Sequence, residues 1–243
     1  VAGSPLPIRS LKPFFVSRLL RLLPALSVEV TLSALILGPL LTVLPLRLYF
    51  SDPLFISYFA NIVGHVQFYL PGLFTTAPMP GVVNLNLWTL APEYHCYIFI
   101  GILMASGAFF DRRKMTFIAF VILGFVGVAN SFFNLGETDT TYGAPILLAS
   151  FVLGALAYHW RENIPIQDTL FAAACVALYV AWSFPRMALV GLIPMTYCTI
   201  YLGMRPLKPI RFLSRGDYSY GIYLYGFPIQ QTLLLLFPPL NVW

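Results

Sequence analysis

A carboxylic acid just inside an apolar segment is the residue of this 243-residue chain best suited to proton chemistry. Glu93 follows the run Leu87-Trp88-Thr89 and precedes a long apolar stretch, so with Thr89 as N-cap it lies near the positive end of a helix dipole. Acids at membrane depth usually face an aqueous cavity or a partner. There, Glu93 could orient a hydroxyl or accept its proton. The alternative is that Glu93 only satisfies the dipole of its own helix.

Histidine is the expected partner of such an acid. His65 belongs to segment 54–74, an apolar stretch that contains several polar residues, and could approach Glu93 from across a cavity. Glu93 and His65 are therefore the catalytic candidates. His95 lies two positions from Glu93, about 200° around a helix, so we expect it to pack among aromatic side chains instead. The sequence contains no His and Cys set with metal-ligand spacing, so we predict no metal site.

Two arginines could hold phosphates. Arg18 and Arg21 are three residues apart and therefore share one face of a helix, with Arg9 and Lys12 nearby. Guanidinium groups bind phosphate oxygens in pairs of hydrogen bonds. The same residues could equally anchor a helix among anionic lipid headgroups. The spacing alone leaves both interpretations open.

A third polar region lies near the end of the chain. Ser219, Tyr223, Gly226 and Gln230 recur at helical intervals and share one face. Pro228 has no backbone N–H and therefore leaves the carbonyl of residue 224 without its helical donor. We expect this face to line a cavity, and the alternative is an aromatic belt with close helix packing. A further acid, Glu29, lies in the first apolar segment without a visible partner.

Composition determines which elements must position these residues. Hydrophobic residues make up 59% of the chain and charged residues 9%, whereas a soluble domain has about 25% charged residues. The chain therefore lacks the polar side chains that a globular surface needs, which excludes a disordered, disulfide-stapled or nucleic-acid-binding protein. We predict an all-α polytopic membrane protein with a single domain over 1–243.

A spanning helix needs about 20 apolar residues, and about seven segments qualify. They are 24–44, 87–109, 115–133, 143–160, 166–184, 187–204 and 219–237. With the N-terminus in the cytoplasm, every Lys and Arg except Arg47 and Arg186 falls on the cytoplasmic side, as the positive-inside rule requires. Counting 54–74 as a span would reverse this pattern, so we predict that it is a re-entrant or interfacial segment on the outer side.

Three motifs in this order resemble the integral-membrane acyltransferase-3 family, whose members O-acylate cell-surface and secreted glycans in bacteria. They are the Arg18/Arg21/Pro24 segment, Leu-Trp-Thr-Leu-x-x-Glu at 87–93 and Ser-Tyr-Gly-Ile-Tyr-Leu at 219–224. The resemblance implies an enzyme of the cytoplasmic (inner) membrane that moves an acyl group, usually acetyl, from cytoplasmic acyl-CoA to a sugar hydroxyl on the far side. The implied partners are acyl-CoA as donor substrate, a carbohydrate or lipid-linked glycan acceptor and membrane lipids, with no bound cofactor.

The resemblance also implies roles for individual residues. Arg18 and Arg21 would contact the CoA phosphates, and Trp88 and Glu93 would shape the acceptor side together with Asn86. The path between the two sides would be lined by Ser219, Tyr220 and Tyr223. Many family members have a histidine where Gly226 stands, and here Gln230 or Gln231 would supply hydrogen bonds instead.

Two expectations concern the whole protein. The family's catalytic Arg and His lie on its first helix and have no counterpart here, so we expect that the chain is truncated before its third helix and inactive alone. The competing class is a transporter or flippase for a lipid-linked sugar, which would also use a polar cavity, intramembrane acids and aromatic sugar contacts. Transporters usually contain inverted repeats, and the sequence shows none.

Overall fold

The computed structural model describes residues 10–133, 143–184, 187–205 and 218–237. In that part of the chain the regular structure is helical, apart from one antiparallel bridge between Tyr69 and Val82. The prediction of an all-α chain is confirmed there. The helices are α1 (Leu11–Leu41), α2 (Leu46–Ser51), α3 (Pro53–Tyr58, extended by a 3-10 turn, Phe59–Val63), α4 (Leu90–Ala105), α5 (Arg112–Phe133), α6 (Gly143–Trp160), α7 (Asp168–Trp182), α8 (Ala188–Met204) and α9 (Ser219–Leu236).

Each of the seven predicted spans overlaps a helix over most of its length. Within the described residues, two helical stretches are long and apolar enough to cross a membrane by length and composition, Leu11–Leu41 and Arg112–Phe132. The seven-span bundle therefore stays a prediction. The first helix differs from its predicted bounds because it begins at Leu11 and continues through Pro24, which places Arg18 and Arg21 on α1.

The segment 54–74 forms no continuous helix, as expected. Its helical part ends at Gly64, whose φ of 86° lies in the left-handed region that favours glycine. Asn61 then holds the chain after this turn, because its Nδ2 donates to the carbonyls of Tyr58 (2.7 Å) and Gln67 (2.9 Å) and its Oδ1 accepts from the Gln67 N–H. Asn61 thus bonds backbone groups on both sides of the turn, and the re-entrant or interfacial placement of the segment stays a prediction.

The chain divides into two compact units, Val1–His95 with Pro209–Trp243 and Cys96–Lys208, and the division falls within α4. Whether the chain acts as a single domain stays a prediction. The core of the first unit contains apolar residues from α1, from the segment between α1 and α4, and from α9. They include Leu26, Val30, Ala34, Tyr49, Tyr58, Leu73, Phe74, Leu87, Leu90 and Leu224.

A π-helical stretch, Ser33–Leu37, interrupts α1, and the N–H of Gly38 bonds the carbonyl of Ser33 five residues earlier. In that pattern the donor for the Ala34 carbonyl would be Pro39, which has no N–H. The Tyr49 hydroxyl donates to the Ala34 carbonyl instead, at 2.7 Å. Burial raises the pKa of Tyr49 to about 12, so it keeps its proton. A Cβ on Gly38 would lie 1.8 Å from the same hydroxyl, so this contact requires glycine.

The second unit packs α7 against α8 and α5 against α6, with Val126, Ala149 and Leu192 in one cluster. Asp111 caps α5, since its Oδ1 accepts the N–H groups of Lys114 (3.2 Å) and Arg113 (2.9 Å). The N–H of Lys114, and then that of Arg113, lower the pKa of Asp111 below its ordinary value. Two further expectations lie outside the described residues: that 134–142 forms a loop on the outer side, and that Asp217 caps α9.

Candidate functional site

The turn that leads into α4 is organised by Asn84. This buried residue precedes a 3-10 turn, Leu85–Thr89, and its Oδ1 accepts the N–H of Asn86 at 3.1 Å. Thr89 directly precedes α4, and its hydroxyl donates to the Asn86 carbonyl at 3.0 Å, so its capping of the helix stays a prediction. Asn84 therefore fixes the turn that carries Trp88.

Asn84 also joins this turn to α1 and α9. Its Nδ2 donates to the Glu29 Oε1 and to the Leu224 carbonyl, both at 2.9 Å. The Leu224 carbonyl is the one that Pro228 leaves without a helical donor, so the freed acceptor predicted from the sequence has a side-chain partner. Ser33 donates to the same Glu29 oxygen at 2.9 Å. All four groups are buried, and they connect three separate parts of the first unit.

Glu29 is the residue whose partner the sequence did not reveal. Its side chain is 1% exposed, and its second carboxylate oxygen, Oε2, accepts no hydrogen bond from the residues that the structure describes. Asn84, its donor, is 55 positions away along the chain. The carbonyl that Pro228 frees needs a hydrogen-bond donor from elsewhere in the chain. That need was the signal that could have pointed to Asn84.

Asn86 and Tyr223, two predicted cavity residues, lie together. Asn86 Nδ2 donates to the Tyr223 carbonyl at 2.6 Å, and the Tyr223 hydroxyl donates to the Asn86 carbonyl at 3.1 Å. The Thr89 hydroxyl lies 3.2 Å from the Tyr223 hydroxyl. These contacts attach the turn before α4 to the first half of α9.

Glu93 lies in the first turn of α4 and is half-buried, as is Trp88. The Glu93 carboxylate is within electrostatic range of the hydroxyls of Tyr94 and Tyr223. A carboxylate at a helix start, near two phenol groups and partly open to solvent, can hold a hydroxyl-bearing ligand by hydrogen bonding. Its role as a catalytic residue stays a prediction.

His65 lies in the exposed turn that follows α3. The preceding residue, Gly64, packs so closely on Tyr94 that a Cβ there would lie 2.8 Å from the tyrosine ring. The turn that carries His65 therefore lies against the neighbour of Glu93. This arrangement brings the two chain segments together, and the pairing of the two side chains stays a prediction.

The face of α9 that was predicted to be polar is mostly exposed. Ser219, Gly226 and Gln230 are exposed, Tyr223 is 38% exposed and Tyr220 is half-buried. Their lining of a cavity stays a prediction. The buried face instead contains Leu224, Pro228, Gln231 and Leu234.

Gln231 is the glutamine that faces inward. Its Nε2 donates to the carbonyls of Met79 (2.8 Å) and Val82 (3.1 Å), and the side chain is 2% exposed. Gln230 is one position away, about 100° around the helix, and exposed. Gln231 thus attaches the loop before the Asn84 turn to the second half of α9.

Arg18 and Arg21 differ in their surroundings although both lie on α1. Arg18 is half-buried with its guanidinium carbon 5.7 Å from the Phe14 ring centroid, and Arg21 is exposed. Arg9 lies outside the described residues. Phosphate binding by this pair stays a prediction.

Comparison with known proteins gives one informative similarity. The chain is 25% identical over 161 residues to an O-acetyl transferase of Shigella phage Sf6, which corresponds to 63% of this chain and 46% of the phage protein. The matched region thus spans about half the length of that relative. No protein-family model matches the chain, and no solved structure matches it. The chain is therefore distantly homologous to an O-acetyl transferase.

Proposed function

We propose that this chain is part of a bacterial membrane O-acyltransferase of the acyltransferase-3 family, which transfers an acetyl group from cytoplasmic acyl-CoA to a hydroxyl of a cell-surface or exported carbohydrate. The observation that carries the proposal is the distant homology to the phage O-acetyl transferase. The two long apolar helices support a membrane location. The relative supports the reaction type, whereas the carbohydrate acceptor and the acyl-CoA donor follow from the three motifs.

The geometry supports an acceptor site beside Glu93. The turn with Trp88 is attached to α9 by the side-chain amides of Asn84 and Asn86, which donate to the carbonyls of Leu224 and Tyr223. These bonds hold the start of α4, where Glu93 lies, against α9. Such preorganisation is what a general base requires. Trp88 is half-buried and offers an apolar surface against which a sugar ring can pack.

The reaction exchanges a carbon–sulfur bond for a carbon–oxygen bond. The acceptor oxygen attacks the thioester carbonyl carbon while its proton moves to a base. The carbon–sulfur bond then breaks, and the leaving thiolate takes up the proton, so that CoA departs as its thiol. Glu93 is proposed as the group that orients the hydroxyl or accepts its proton, and His65 as the alternative base. Asn86, Ser219, Tyr220, Tyr223 and Gln230 would line the cavity.

The donor side would lie nearer the start of α1. Arg21 precedes Glu29 by eight residues, which corresponds to about 12 Å along a helix axis. Arg18 and Arg21 would therefore hold the CoA phosphates at a distance from the buried Asn84 contacts. A polyanionic donor needs guanidinium groups at this end, and a neutral sugar does not.

The test measures incorporation of labelled acetyl from acetyl-CoA into polysaccharide, in membranes from cells that express the whole protein of which this chain is proposed to be a part. Glu93→Gln keeps the shape and removes the proton acceptor, so we expect a loss of at least about 100-fold. His95 lies on the same helix and is exposed, rather than packed among aromatic side chains as expected from the sequence. His95→Gln is therefore the matched control, with an expected change of less than about twofold. Arg18→Gln with Arg21→Gln should raise the KM for acetyl-CoA.

Three outcomes would contradict the proposal in different ways. Unchanged incorporation in Glu93→Gln would exclude Glu93 from the site and leave the reaction intact. An unchanged KM in the arginine variant would exclude the donor role of Arg18 and Arg21. If acetyl incorporation by the wild-type protein stayed at the background level while the protein transported a lipid-linked sugar, the result would favour a flippase.

A further inference from the structure

A basic cleft lies in the second unit, and none of its lining residues belongs to the candidate site described above. It has a volume of about 590 Å³ and is formed by the start of α5 and the end of α6. Its polar lining comprises Arg112, Arg113, Thr116, Trp160 and Asn163. Two guanidinium groups, an indole, a hydroxyl and an amide in one cleft are suited to an anionic ligand.

Arg112 is held in a defined position in this cleft. Its guanidinium carbon lies 3.5 Å from the centroid of the Trp160 ring, and its Nη2 donates to Asn163 Oδ1 at 2.6 Å. The indole N–H of Trp160 donates to the Thr116 hydroxyl at 3.0 Å, which fixes the ring in turn. A guanidinium has five N–H donors, so Arg112 retains donors for a ligand after these contacts. The arginine is therefore ordered before a ligand binds.

The two guanidinium groups of the cleft form no ion pair with a carboxylate in the described part of the chain. Lys114 lies 4.0 Å from Asp111, and Arg161 lies 3.8 Å from Glu162, so these two bases have carboxylate neighbours. Within the described parts of the chain, no carboxylate oxygen lies within 4.0 Å of Arg112 or Arg113. Both arginines are exposed. Their charge is available to an anion from outside the protein.

An apolar cavity of about 540 Å³ adjoins the basic cleft and shares with it Thr116, Phe120, Trp160 and Asn163. It continues along α6 and α8, where its lining is largely aliphatic and includes Leu153, Ile193 and Ile200. A ligand that fills both spaces must have an anionic group at one end and a hydrocarbon chain at the other. A phospholipid has this chemistry, and basic pockets at helix ends bind lipid headgroups in membrane proteins.

We propose that this cleft binds an anionic phospholipid of the surrounding membrane, with the headgroup phosphate on Arg112 and Arg113 and an acyl chain in the adjoining apolar cavity. The proposal rests on the membrane location that is part of the proposed function. It is consistent with the topology predicted from the sequence, in which the starts of α5 and the ends of α6 lie at the cytoplasmic boundary.

The experiment measures retention of lipid by the full chain, purified in detergent, using native mass spectrometry. Dioleoylphosphatidylglycerol is the anionic probe and dioleoylphosphatidylcholine is the zwitterionic comparison with identical chains. We expect the chain to retain phosphatidylglycerol in preference to phosphatidylcholine. Arg112→Gln with Arg113→Gln should weaken this retention at least about tenfold, because two charge-assisted phosphate contacts are lost.

Lys114→Gln is the matched control, since it removes one positive charge from the same helix end without altering the cleft lining. Retention unchanged in this control supports a built site, whereas an equal loss in both variants would overturn the proposal in favour of diffuse charge attraction. Equal retention of the two lipids would also overturn it.

Two competition measurements separate the sources of phosphate. Glycerol phosphate that binds as well as the lipid would overturn the role of the apolar cavity. Displacement of phosphatidylglycerol by CoA would assign the cleft to the donor substrate and overturn the lipid proposal. Because lipid retention is measured without acetyl transfer, failure here leaves the proposed reaction standing, and a protein inactive in acetyl transfer can still retain the lipid.

Discussion

The bond between Asn84 and the Leu224 carbonyl yields a quantitative prediction, because the need for it arises from Pro228. Asn84→Ala removes the donor to this buried carbonyl and one of the two donors to the Glu29 carboxylate oxygen. It also removes the acceptor for the Asn86 N–H. The variant therefore leaves buried polar groups unsatisfied in three parts of the first unit.

The magnitude follows from these contacts. An unsatisfied buried carbonyl costs about 1–3 kcal/mol, and a hydrogen bond to a charged group contributes about 1.5–3 kcal/mol. Loss of the cap on the turn adds about 1 kcal/mol. We expect Asn84→Ala to lower the free energy of unfolding by about 3–7 kcal/mol. Pro228→Ala restores an N–H four residues after Leu224, so in that background Asn84→Ala should cost about 1–3 kcal/mol less.

The assay is a double-mutant cycle, with reversible unfolding of each variant in mixed micelles followed by tryptophan fluorescence. Asn86→Ala is the matched control: it also removes a side-chain donor to an α9 carbonyl, that of Tyr223, but residue 227 can still donate to that carbonyl. Its cycle with Pro228→Ala should be additive within about 0.5 kcal/mol. Additive effects of Asn84→Ala and Pro228→Ala would refute the reasoning, as would equal coupling in the control.

Three further predictions concern stability. Gly38→Ala should lower the free energy of unfolding by about 2–5 kcal/mol, because its Cβ would lie 1.8 Å from the Tyr49 hydroxyl. Gly226→Ala is the control and should not lower it, because nothing lies within 4 Å of a Cβ there. Equal effects of the two substitutions would contradict this reasoning. Gln231→Ala should lower the free energy of unfolding, measured by thermal denaturation, by about 2–4 kcal/mol, because two buried carbonyls lose their donor. Gln230→Ala, at an exposed position, should lower it by less than about 0.5 kcal/mol. The reverse order would contradict the assignment of the buried face. The lowered pKa of Asp111 means that its cap on α5 stabilises the fold above the ordinary aspartate pKa of about 4 and is lost as the pH falls through the lowered pKa. Amide hydrogen exchange at the start of α5 should show this pH dependence, which Asp111→Asn should abolish.

The helices could be predicted from the sequence because long apolar runs have few alternatives to helix. Each of the seven predicted spans is helical, and the carbonyl freed by Pro228 is bonded by a side chain. These features depend on local chemistry: apolar length in the first case and a missing N–H in the second. The bounds 24–44 were set by apolar composition, whereas α1 begins at Leu11 and continues through the basic residues Arg18 and Arg21 and through Pro24.

The contacts of the candidate site depend on distant parts of the chain and could not be read from local patterns. Gln230 completed a polar face at helical spacing, but the carbonyls of Met79 and Val82, about 150 residues earlier, bond Gln231. Glu29 was visible as an acid in an apolar segment, and its donor Asn84 was not, because nothing in either segment specifies their separation. Packing determines which side chains from distant parts of the chain meet. The spacing of residues along a single sequence does not show these pairs.

Two prolines each deprive a carbonyl of its helical donor, and the segment between α1 and α4 supplies both replacements. Tyr49 bonds Ala34, which Pro39 leaves open, and Asn84 bonds Leu224, which Pro228 leaves open. Hydrocarbon offers no hydrogen-bond donors, so under the proposed membrane location these two carbonyls of α1 and α9 have no donor until this segment docks. The first and the last helix thus depend on one connecting segment, and we expect a single proteolytic nick in that segment to destabilise both helices together.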